Sequence, residues 1–453
     1  MRNEQTRGDY VVASFIASTS WVGLADAVKQ KIRMALLDTL GAAVAGTQTR
    51  IAAITSDYAA ETWSGNESTL LLGGKRASRV GASFANSYAA NALDIDDNGQ
   101  YMKGHPGSQV VSTALAVGEA VGSDGSQALT AMVVGYEVAH RMARCWHDHH
   151  SIYAACGSWG SVACAAVTAK LADLGVEEVI NALGVAEYHA PHVPIMRDVS
   201  NPAMVKHGHG WGAATGIIAA ELASRGFTGI PSLFAAAKYS DWVEGIGREF
   251  LMVDGVTWKQ YACCAWAHPA IKAAKAVVDR YNVCLSDIRR IAIEAPDEAV
   301  QLGTMLPTTT EEAQFNLAWP VAAMLVDGEV GPRQVLEQRL DDEEIRQLAK
   351  RVEAVESKEL TQRYSDLVGD DSTGKYGSAV RITLRDGTEL ASGIVEEEYT
   401  YPQRGWDWKR VEDKFRWLSE PVLGKRRVAQ AIEIVSEFER VGNVRELTEV
   451  LSD

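Results

Sequence analysis

The chain has 453 residues, 47% of them hydrophobic, which is enough for a folded protein of two or three domains at ~150 residues each. Its formal net charge of −15 argues against a nucleic-acid partner or an anionic membrane surface, because both require a positively charged face. No run approaches the ~20 apolar residues of a membrane span, and residues 1–7 lack the apolar core of a signal peptide, so we expect a soluble, cytoplasmic protein.

The first 250 residues carry helical patterns. In residues 24–45, apolar positions such as Val28, Ile32 and Leu36 recur with helical spacing, which predicts an amphipathic helix. Stretches rich in alanine and glycine predict further, closely packed helices at about 108–122, 126–144, 157–174, 177–188 and 211–225. This half of the chain is therefore predicted to be all-helical.

A short connection between two of these helices concentrates acidic residues beside a histidine. Asp94, Asp96 and Asp97 fall within four positions, and His105 follows before a proline. Carboxylates this close raise one another's proton affinity, and a histidine can titrate near neutrality, so together they could supply a base and an acid. The alternative is that the aspartates cap a helix and that His105 is a turn residue.

Two other polar clusters are weaker candidates. The residues His147 to His150 could suggest a metal site, but contiguous residues cannot all face one ion, so we expect an exposed loop. The glycine-rich segment 206–216 lacks the preceding strand of a dinucleotide-binding loop, which favours a packing role for its glycines. Tyr136 and Arg141 are predicted to be structural, Arg141 on a helix surface.

The cysteines do not form a recognisable ligand or disulfide pattern. Their spacing fits neither metal ligation nor an iron–sulfur cluster, so we expect them to be reduced and mostly buried. They are Cys145, Cys156, Cys164, Cys263, Cys264 and Cys284.

The pattern changes after Lys259. Residues 291–295 and 380–385 read as strands, and Asp386-Gly387 predicts a hairpin turn into Glu389. Helices are predicted at about 268–281 and 318–327, and the acidic run 341–344 fits the first turn of another. These elements predict a smaller α/β domain, after which residues 406–450 return to helical periodicity.

Several segments, in this order, resemble landmarks of the MmgE/PrpD family. Leu93-Asp94-Ile95-Asp96-Asp97 followed by His105-Pro106-Gly107 resembles the centre of that family. Further matches are residues 77–86, 135–141, 157–160, 226–229 and 264–269. The resemblance covers the chain from about residue 10 to its C-terminal region.

The resemblance implies a mainly α fold with a smaller α/β domain. In this organisation a helical domain, 1–262, is followed by an α/β lid, 263–397, and a helical segment, 398–453, that returns to the first domain and makes it discontinuous. The family also implies a homodimer that acts on a small carboxylic acid without a cofactor or metal. An anionic substrate requires positive charge at the site, against the negative charge of the whole chain.

The resemblance also assigns candidate site residues. Asp94, His105 and Lys259 fall on catalytic positions, although Lys259 alone would read as a solvated lysine. Candidate substrate contacts are Asn98, Tyr153, Lys206, His209 and Thr215. Where decarboxylase-like members have a histidine and a lysine, this chain has Ala154, beside Tyr153, and Thr215. These departures put cis-aconitate decarboxylation in doubt.

The expected activity is that of a dehydratase-type lyase, which removes a carbon-bound proton from a di- or tricarboxylate. A base from Asp94 or His105 would take the proton, while Lys259 would hold the carboxylate or enolate. The alternatives are an epimerase of an amino- or iminodicarboxylate and a catalytically silent family member that binds a carboxylate.

Overall fold

The computed structural model describes residues 7–71, 73–99, 102–368, 375–397 and 405–452. The described residues form a mainly helical protein with a smaller α/β part, which confirms the predicted fold class. The predicted domain boundary at residue 398 and residues 1–6 at the N-terminus lie outside the described residues. No helix in the described part of the chain has the length and hydropathy of a bilayer-spanning segment.

Twelve helices in the described residues precede the α/β part, and six of them match the helices predicted from periodicity. They are α1 (Gly8–Ser18), α2 (Asp26–Gly46), α3 (Arg50–Thr62), α4 (Arg79–Asn91), α5 (Gly107–Val121), α6 (Gly125–His150), α7 (Gly157–Leu171), α8 (Val176–His189), α9 (Ile195–Ser200), α10 (His209–Ala223), α11 (Ser240–Val243) and α12 (Leu251–Gly255). Two short antiparallel pairs interrupt the predicted all-helical half: β1 (Ser68–Thr69) with β2 (Arg76–Ala77), and β3 (Asn98–Gly99) with β4 (Val256–Thr257).

The α/β part contains a mixed four-stranded sheet with helices around it. Its order is β6-β5-β7-β8, in which β5 and β6 are parallel and the other neighbours antiparallel. The hairpin predicted at Asp386-Gly387 joins β7 to β8, and Gly387 takes the left-handed φ of 92° that favours glycine. The strands are β5 (Ile288–Ala295), β6 (Val352–Glu356), β7 (Gly377–Leu384) and β8 (Glu389–Glu396). The helices are α13 (His268–Tyr281), α14 (Asp297–Val300), α15 (Thr310–Gln314), α16 (Ala318–Asp327), α17 (Pro332–Val335), α18 (Glu343–Ala349) and α19 (Lys358–Val368).

The tail forms α20 (Trp408–Ser436) and α21 (Arg445–Ser452) and packs back on the helical part. On α20, the buried Lys414 Nζ donates to Asp38 Oδ1 on α2 at 2.6 Å and to the Ile95 carbonyl at 2.7 Å. Phe415, the next residue, is buried in the core of the helical part. Helix α20 thus contacts the acidic loop through Lys414.

Two hydrophobic cores correspond to the two parts of the fold. The larger core joins α1, α2 and α5–α8 to the tail helices. The smaller core lies around the mixed sheet and α13 and also takes in Leu93 and Ile95 from the acidic loop. These cores support the proposed division into a discontinuous helical domain and an α/β domain.

Two local predictions are wrong. The residues His147 to His150 form the last turn of α6 rather than a loop, because His150 contacts Trp146 one turn earlier and Asp148 accepts hydrogen bonds from Lys238 and Tyr239. Arg141 is buried rather than on a helix surface, because it pairs with the buried carboxylate of Glu137. The cysteines are free, and four are buried, as predicted.

Candidate active site

The acidic loop begins where α4 ends, and Asp94 stands at its first turn. The Asp94 N–H donates to the Asn91 carbonyl at 3.0 Å, and Asp94 takes a φ of 49°, a left-handed conformation that aspartate tolerates better than most residues. Its neighbours Leu93 and Ile95 are buried in the smaller core, while Asp94 lines a pocket. The left-handed turn thus lets the Asp94 carboxylate line the pocket while Leu93 and Ile95 on either side of it stay in the hydrophobic core.

A two-residue strand pair brings Lys259 to this loop from 165 positions later in the chain. Asn98 pairs with Thr257, and the Thr257 hydroxyl donates to the Asn98 carbonyl at 3.1 Å. Lys259 follows this pair, and its Nζ lies 3.1 Å from Asp94 Oδ2. Lys259 is fully buried, so the alternative of a solvated lysine is wrong.

His105 stands on the other side of the Asp94 carboxylate. A backbone bridge between Gly99 and Gly104 closes the loop just before it, and Pro106 caps α5 just after it. The His105 Nδ1 donates to the Asp97 carbonyl at 2.7 Å, and Nε2 lies 3.2 Å from Asp94 Oδ1. Lys259, Asp94 and His105 therefore form a continuous row, as the sequence predicted.

The charges in this row follow from burial and from the neighbouring groups. Although burial favours the neutral acid, the ammonium of Lys259 holds the pKa of Asp94 below its usual range. Burial lowers the pKa of His105 to about 3, which outweighs the opposite effect of Asp94. At neutral pH the row is thus an ammonium, a carboxylate and a neutral imidazole whose Nε2 carries a lone pair.

The other two carboxylates of the loop behave differently. Burial and the charge of Asp94 raise the pKa of Asp96 to about 7, while burial and Asp96 raise the pKa of Asp97 to about 8. Asp96 accepts from Asn91 at 2.9 Å. The expected mutual increase in proton affinity therefore holds for Asp96 and Asp97 but not for Asp94, because only Asp94 has Lys259 beside it.

Asp97 connects the loop to α5 and α6. It accepts from the Gly107 N–H at 2.9 Å and from the Tyr136 hydroxyl at 2.6 Å. A Cβ on Gly107 would lie 2.3 Å from Thr39 Oγ1 and 2.8 Å from Asp97 Oδ1, so only glycine fits at this helix start. Tyr136 thus has the structural role predicted for it.

The row opens into a pocket between the two parts of the fold. Its wall is partly polar and partly aromatic. The polar lining residues include Asp94, Asn98, Lys103, His105 and His207, and the aromatic ones are Tyr153, Trp266, Phe315, Tyr364 and Tyr376.

Two predicted substrate contacts, Asn98 and Tyr153, line this pocket. Asn98 is placed there by β3. The Tyr153 hydroxyl donates to the Lys103 carbonyl at 2.8 Å, and the Lys103 ammonium lies 5.6 Å from the centre of the Tyr153 ring. Their roles as contacts remain predictions that the geometry supports.

The other three predicted contacts do not line the pocket. Lys206 is buried behind it, where Nζ donates to Gln314 Oε1 at 2.8 Å, and its charge also lowers the pKa of Asp94. His209 is buried, with its Nδ1 2.8 Å from the Ser108 hydroxyl. Thr215 is half-buried and shares a face of α10 with the exposed Trp211 and Ile218. The geometry therefore gives Lys206 an indirect role and Thr215 none at this pocket.

Sequence reasoning missed His207, which lines the pocket. Its Nδ1 lies 3.0 Å from Asp198 Oδ2, and its backbone N–H donates to the same oxygen at 3.1 Å. Its ring is nearly parallel to that of His105, with 6.5 Å between the ring centres. The presence of two histidines within 206–209 was the available signal, but the glycines beside them favoured a packing interpretation.

One group of side chains in the described residues has the geometry of a metal site. Asp94, Asp96 and His105 offer ligand atoms within 4.8 Å of one another. However, the Lys259 ammonium is already 3.1 Å from Asp94, and His105 Nδ1 is bonded to the Asp97 carbonyl. Lys259 thus supplies the positive charge that an ion would bring, and metal independence stays a prediction.

Comparison with known proteins gives consistent matches along the chain. Residues 11–244 match the MmgE/PrpD N-terminal domain, and residues 261–440 match the MmgE/PrpD C-terminal domain. A cis-aconitate decarboxylase of Homo sapiens is 26% identical over 94% of this chain and 91% of its own length. A cis-aconitate decarboxylase of Aspergillus terreus is 24% identical over 84% of this chain and 82% of its own. A cis-aconitate decarboxylase-like protein of Aspergillus oryzae is 25% identical, with 82% of each chain covered.

Proposed function

Since the chain belongs to the MmgE/PrpD family, we propose that it is a lyase that removes a carbon-bound proton next to a carboxylate of a small di- or tricarboxylic acid. The observation that carries this proposal is the row of Lys259, Asp94 and His105 at the pocket. The reaction proposed first is loss of water, without a metal or cofactor. The decarboxylase relatives support lyase chemistry on a carboxylic acid.

His105 is the proposed base. The Asp97 carbonyl holds the ring proton on Nδ1, which leaves the Nε2 lone pair for the substrate proton. The low pKa keeps the free imidazole of His105 neutral at physiological pH but also makes it a weak base, so its role depends on the neighbouring Asp94 carboxylate, which raises this pKa.

Asp94 is then the partner of the protonated base. Its Oδ1 has no hydrogen-bond partner among the described residues and lies 3.2 Å from Nε2, so it can accept the new N–H and stabilise the imidazolium. Lys259 keeps Asp94 ionised for this role. The ion pair with Lys259 holds the pKa of Asp94 below its usual range and makes this carboxylate a weak base, which favours His105 over Asp94 as the base.

His207 is proposed as the acid that protonates the leaving group. Asp198 engages its Nδ1, which leaves Nε2 as the nitrogen available to a ligand. Lys103 and Asn98 are placed to bind a substrate carboxylate from the same pocket. The positive charge of Lys206, next to Lys259, adds to the potential that attracts an anion despite the negative charge of the whole chain.

Decarboxylation is the second candidate, because the three relatives described above carry that name. A base and an acid at this spacing could equally protonate the carbanion that loss of carbon dioxide leaves. The difference lies in whether the acid delivers its proton to a leaving hydroxyl or to carbon.

One experiment separates these reactions. The purified chain is incubated with hydroxylated and unsaturated di- and tricarboxylic acids in deuterated water and followed by proton NMR. A new double bond without loss of carbon dioxide supports dehydration, and loss of carbon dioxide with deuterium at carbon supports decarboxylation. Deuterium at a stereocentre without either would replace the proposal with epimerisation, and saturable binding without turnover would replace it with a binding protein.

A homodimer is also proposed. Four apolar side chains on α3 and α10 are 41–50% exposed, and exposed apolar clusters are typical of subunit interfaces. They are Ile54, Tyr58, Trp211 and Ile218. Light scattering of the purified chain should give twice the monomer mass, and a monomer at micromolar concentration would contradict this assignment.

A further inference from the structure

Part of the pocket wall is a continuous set of aromatic rings. The ring centres of Tyr153 and Trp266 are 6.3 Å apart, those of Trp266 and Tyr364 6.3 Å, and those of Tyr364 and Tyr376 5.2 Å. All four residues line the cavity together with Leu367. Three of the rings belong to the α/β part of the fold.

The polar atoms of these aromatic residues are mostly engaged within the protein. The Tyr153 hydroxyl donates to the Lys103 carbonyl, and the Tyr376 hydroxyl donates to the Trp266 carbonyl. The Trp266 indole N–H donates to the Tyr364 oxygen at 3.1 Å. Apart from the hydroxyl proton of Tyr364, these residues therefore offer the cavity ring surface rather than donors for a carboxylate.

The charge available in the pocket is small by comparison. Among its described lining residues there is one lysine, Lys103, with no arginine, while Asp94 contributes a negative charge. A carboxylate that enters the pocket gives up its hydrogen bonds to water, and this loss of hydration is unfavourable unless a cation or a hydrogen-bond donor in the pocket replaces them. Three carboxylates on one small acid would exceed what the described lining can pair.

The lining of the cavity is more apolar than polar. Space beyond the row of His105, Asp94 and Lys259 is bounded by rings, so an apolar group would fill it favourably.

We propose that the natural substrate has fewer than three carboxylates and carries an apolar substituent that packs on Trp266, Tyr364 and Tyr376. This assignment rests on the proposed function, because it concerns the same pocket and places the carboxylate at Lys103 and Asn98, with the reacting carbon beside His105. The α/β part of the fold selects the substituent, and the loop from the helical part performs the chemistry.

Two unreactive acids with the same core test the assignment. Benzylsuccinate and tricarballylate share a succinate skeleton and differ in carrying a benzyl or a carboxymethyl group. Calorimetric titration of the full chain should give on the order of 10-fold or more tighter binding of benzylsuccinate, because a phenyl ring leaves water. Equal or tighter binding of tricarballylate would overturn the assignment.

Variants of Tyr364 test whether the aromatic wall causes the preference for benzylsuccinate over tricarballylate. Tyr364→Ala should weaken benzylsuccinate binding about 5-fold and leave a smaller preference, whereas Tyr364→Phe, which keeps the ring, should retain the preference. If Tyr364→Ala keeps a wild-type circular dichroism spectrum and the full preference for benzylsuccinate, the aromatic wall does not bind the benzyl group. Neither acid can react, so this binding test does not depend on catalysis. If the chain prefers benzylsuccinate but turns over no substrate, the lyase proposal is refuted and the assignment of the aromatic wall stands.

Discussion

The polar side and the aromatic side of the pocket are built in different ways. The polar side comes mainly from one connection of the helical part, described at residues 91–99 and 102–107 and joined to Lys259 by a two-residue strand pair, and His207 joins it from the turn before α10. The aromatic side comes from separate segments: Trp266 before α13, Tyr364 on α19 and Tyr376 at the start of β7. Reaction chemistry is thus encoded mostly in one short stretch, whereas substrate selection depends on how distant segments meet.

The two sides also differ in what they contribute to stability. The polar side buries three carboxylates, which are stabilised by partners such as Lys259, Asn91 and Tyr136. The aromatic side buries ring surface, which stabilises the fold directly. Substitutions on the polar side should therefore lower the free energy of unfolding more than substitutions on the aromatic side.

The largest effect is expected at His105. His105→Gln should lower kcat by about 1,000-fold, because glutamine cannot take the substrate proton that Nε2 is placed to accept. Steady-state kinetics on a substrate found by the NMR experiment would measure this. The matched variant His189→Gln, on the exposed end of α8, should stay within about twofold of wild type. Near-wild-type turnover by His105→Gln would show that His105 is not the base.

The next effect concerns the ion pair behind the base. Lys259→Met leaves the buried Asp94 carboxylate without its ammonium and should lower the free energy of unfolding by about 3–5 kcal/mol. Urea denaturation would measure this. The double variant Asp94→Asn with Lys259→Met should recover part of the loss, because no charge is then left unpaired. Strictly additive losses would show that the two groups are not coupled.

The pH dependence of stability provides a third test. Asp97 has a pKa of about 8 in the folded chain, against an ordinary 3.8, so the folded chain binds a proton that the unfolded chain releases. The contribution of Asp97 to the free energy of unfolding should therefore fall as pH rises from about 4 to about 8, whereas buried histidines such as His105 and His140 contribute in the opposite direction below about pH 6.5.

Asp97→Asn isolates this contribution. The amide has no proton to lose, so the variant should lose less stability than wild type over the same pH range. Urea denaturation at several pH values would compare the two, with Asp341→Asn, an exposed carboxylate, as the control. Identical slopes for wild type and Asp97→Asn would show that Asp97 is not protonated in the folded chain.

The smallest effect is expected at the strand pair that joins the two segments of the polar side. Thr257→Val removes the hydrogen bond to the Asn98 carbonyl at nearly constant volume and should cost about 1 kcal/mol of stability. Backbone pairing of β3 with β4 remains, so kcat should fall far less than in His105→Gln. A loss of activity as large as that of His105→Gln would mean that this bond alone positions Lys259.

Much of the fold was predictable from the sequence. The helices α13 and α16 begin and end where their periodicity indicated, and the β7–β8 hairpin forms at Asp386-Gly387. The strand pairs β1–β2 and β3–β4 were missed, because two-residue strands carry no periodicity. The last turn of α6 was missed because its helical state depends on contacts with Trp146, Lys238 and Tyr239.

The site was predictable in part. Asp94, His105 and Lys259 were identified together only through the resemblance to a family, since Lys259 lies far from the other two in sequence. Without the resemblance, the spacing of residues could not separate Asp94 from Asp96 and Asp97, because their different pKa shifts depend on which one Lys259 contacts. Thr215 was proposed from its position in a motif, whereas the α10 face that carries it points away from the pocket lining.

By itself the sequence determined the helical character of the first half, the α/β character of the second and the concentration of acid and imidazole in one loop, because these depend on local spacing and residue type. Tertiary structure decided which carboxylate stays ionised, that His207 joins the pocket and that its remaining wall is aromatic. These properties arise from contacts between residues distant in sequence, where burial and neighbouring charge set the proton affinity of a group and the packing of separate segments sets the shape of a cavity.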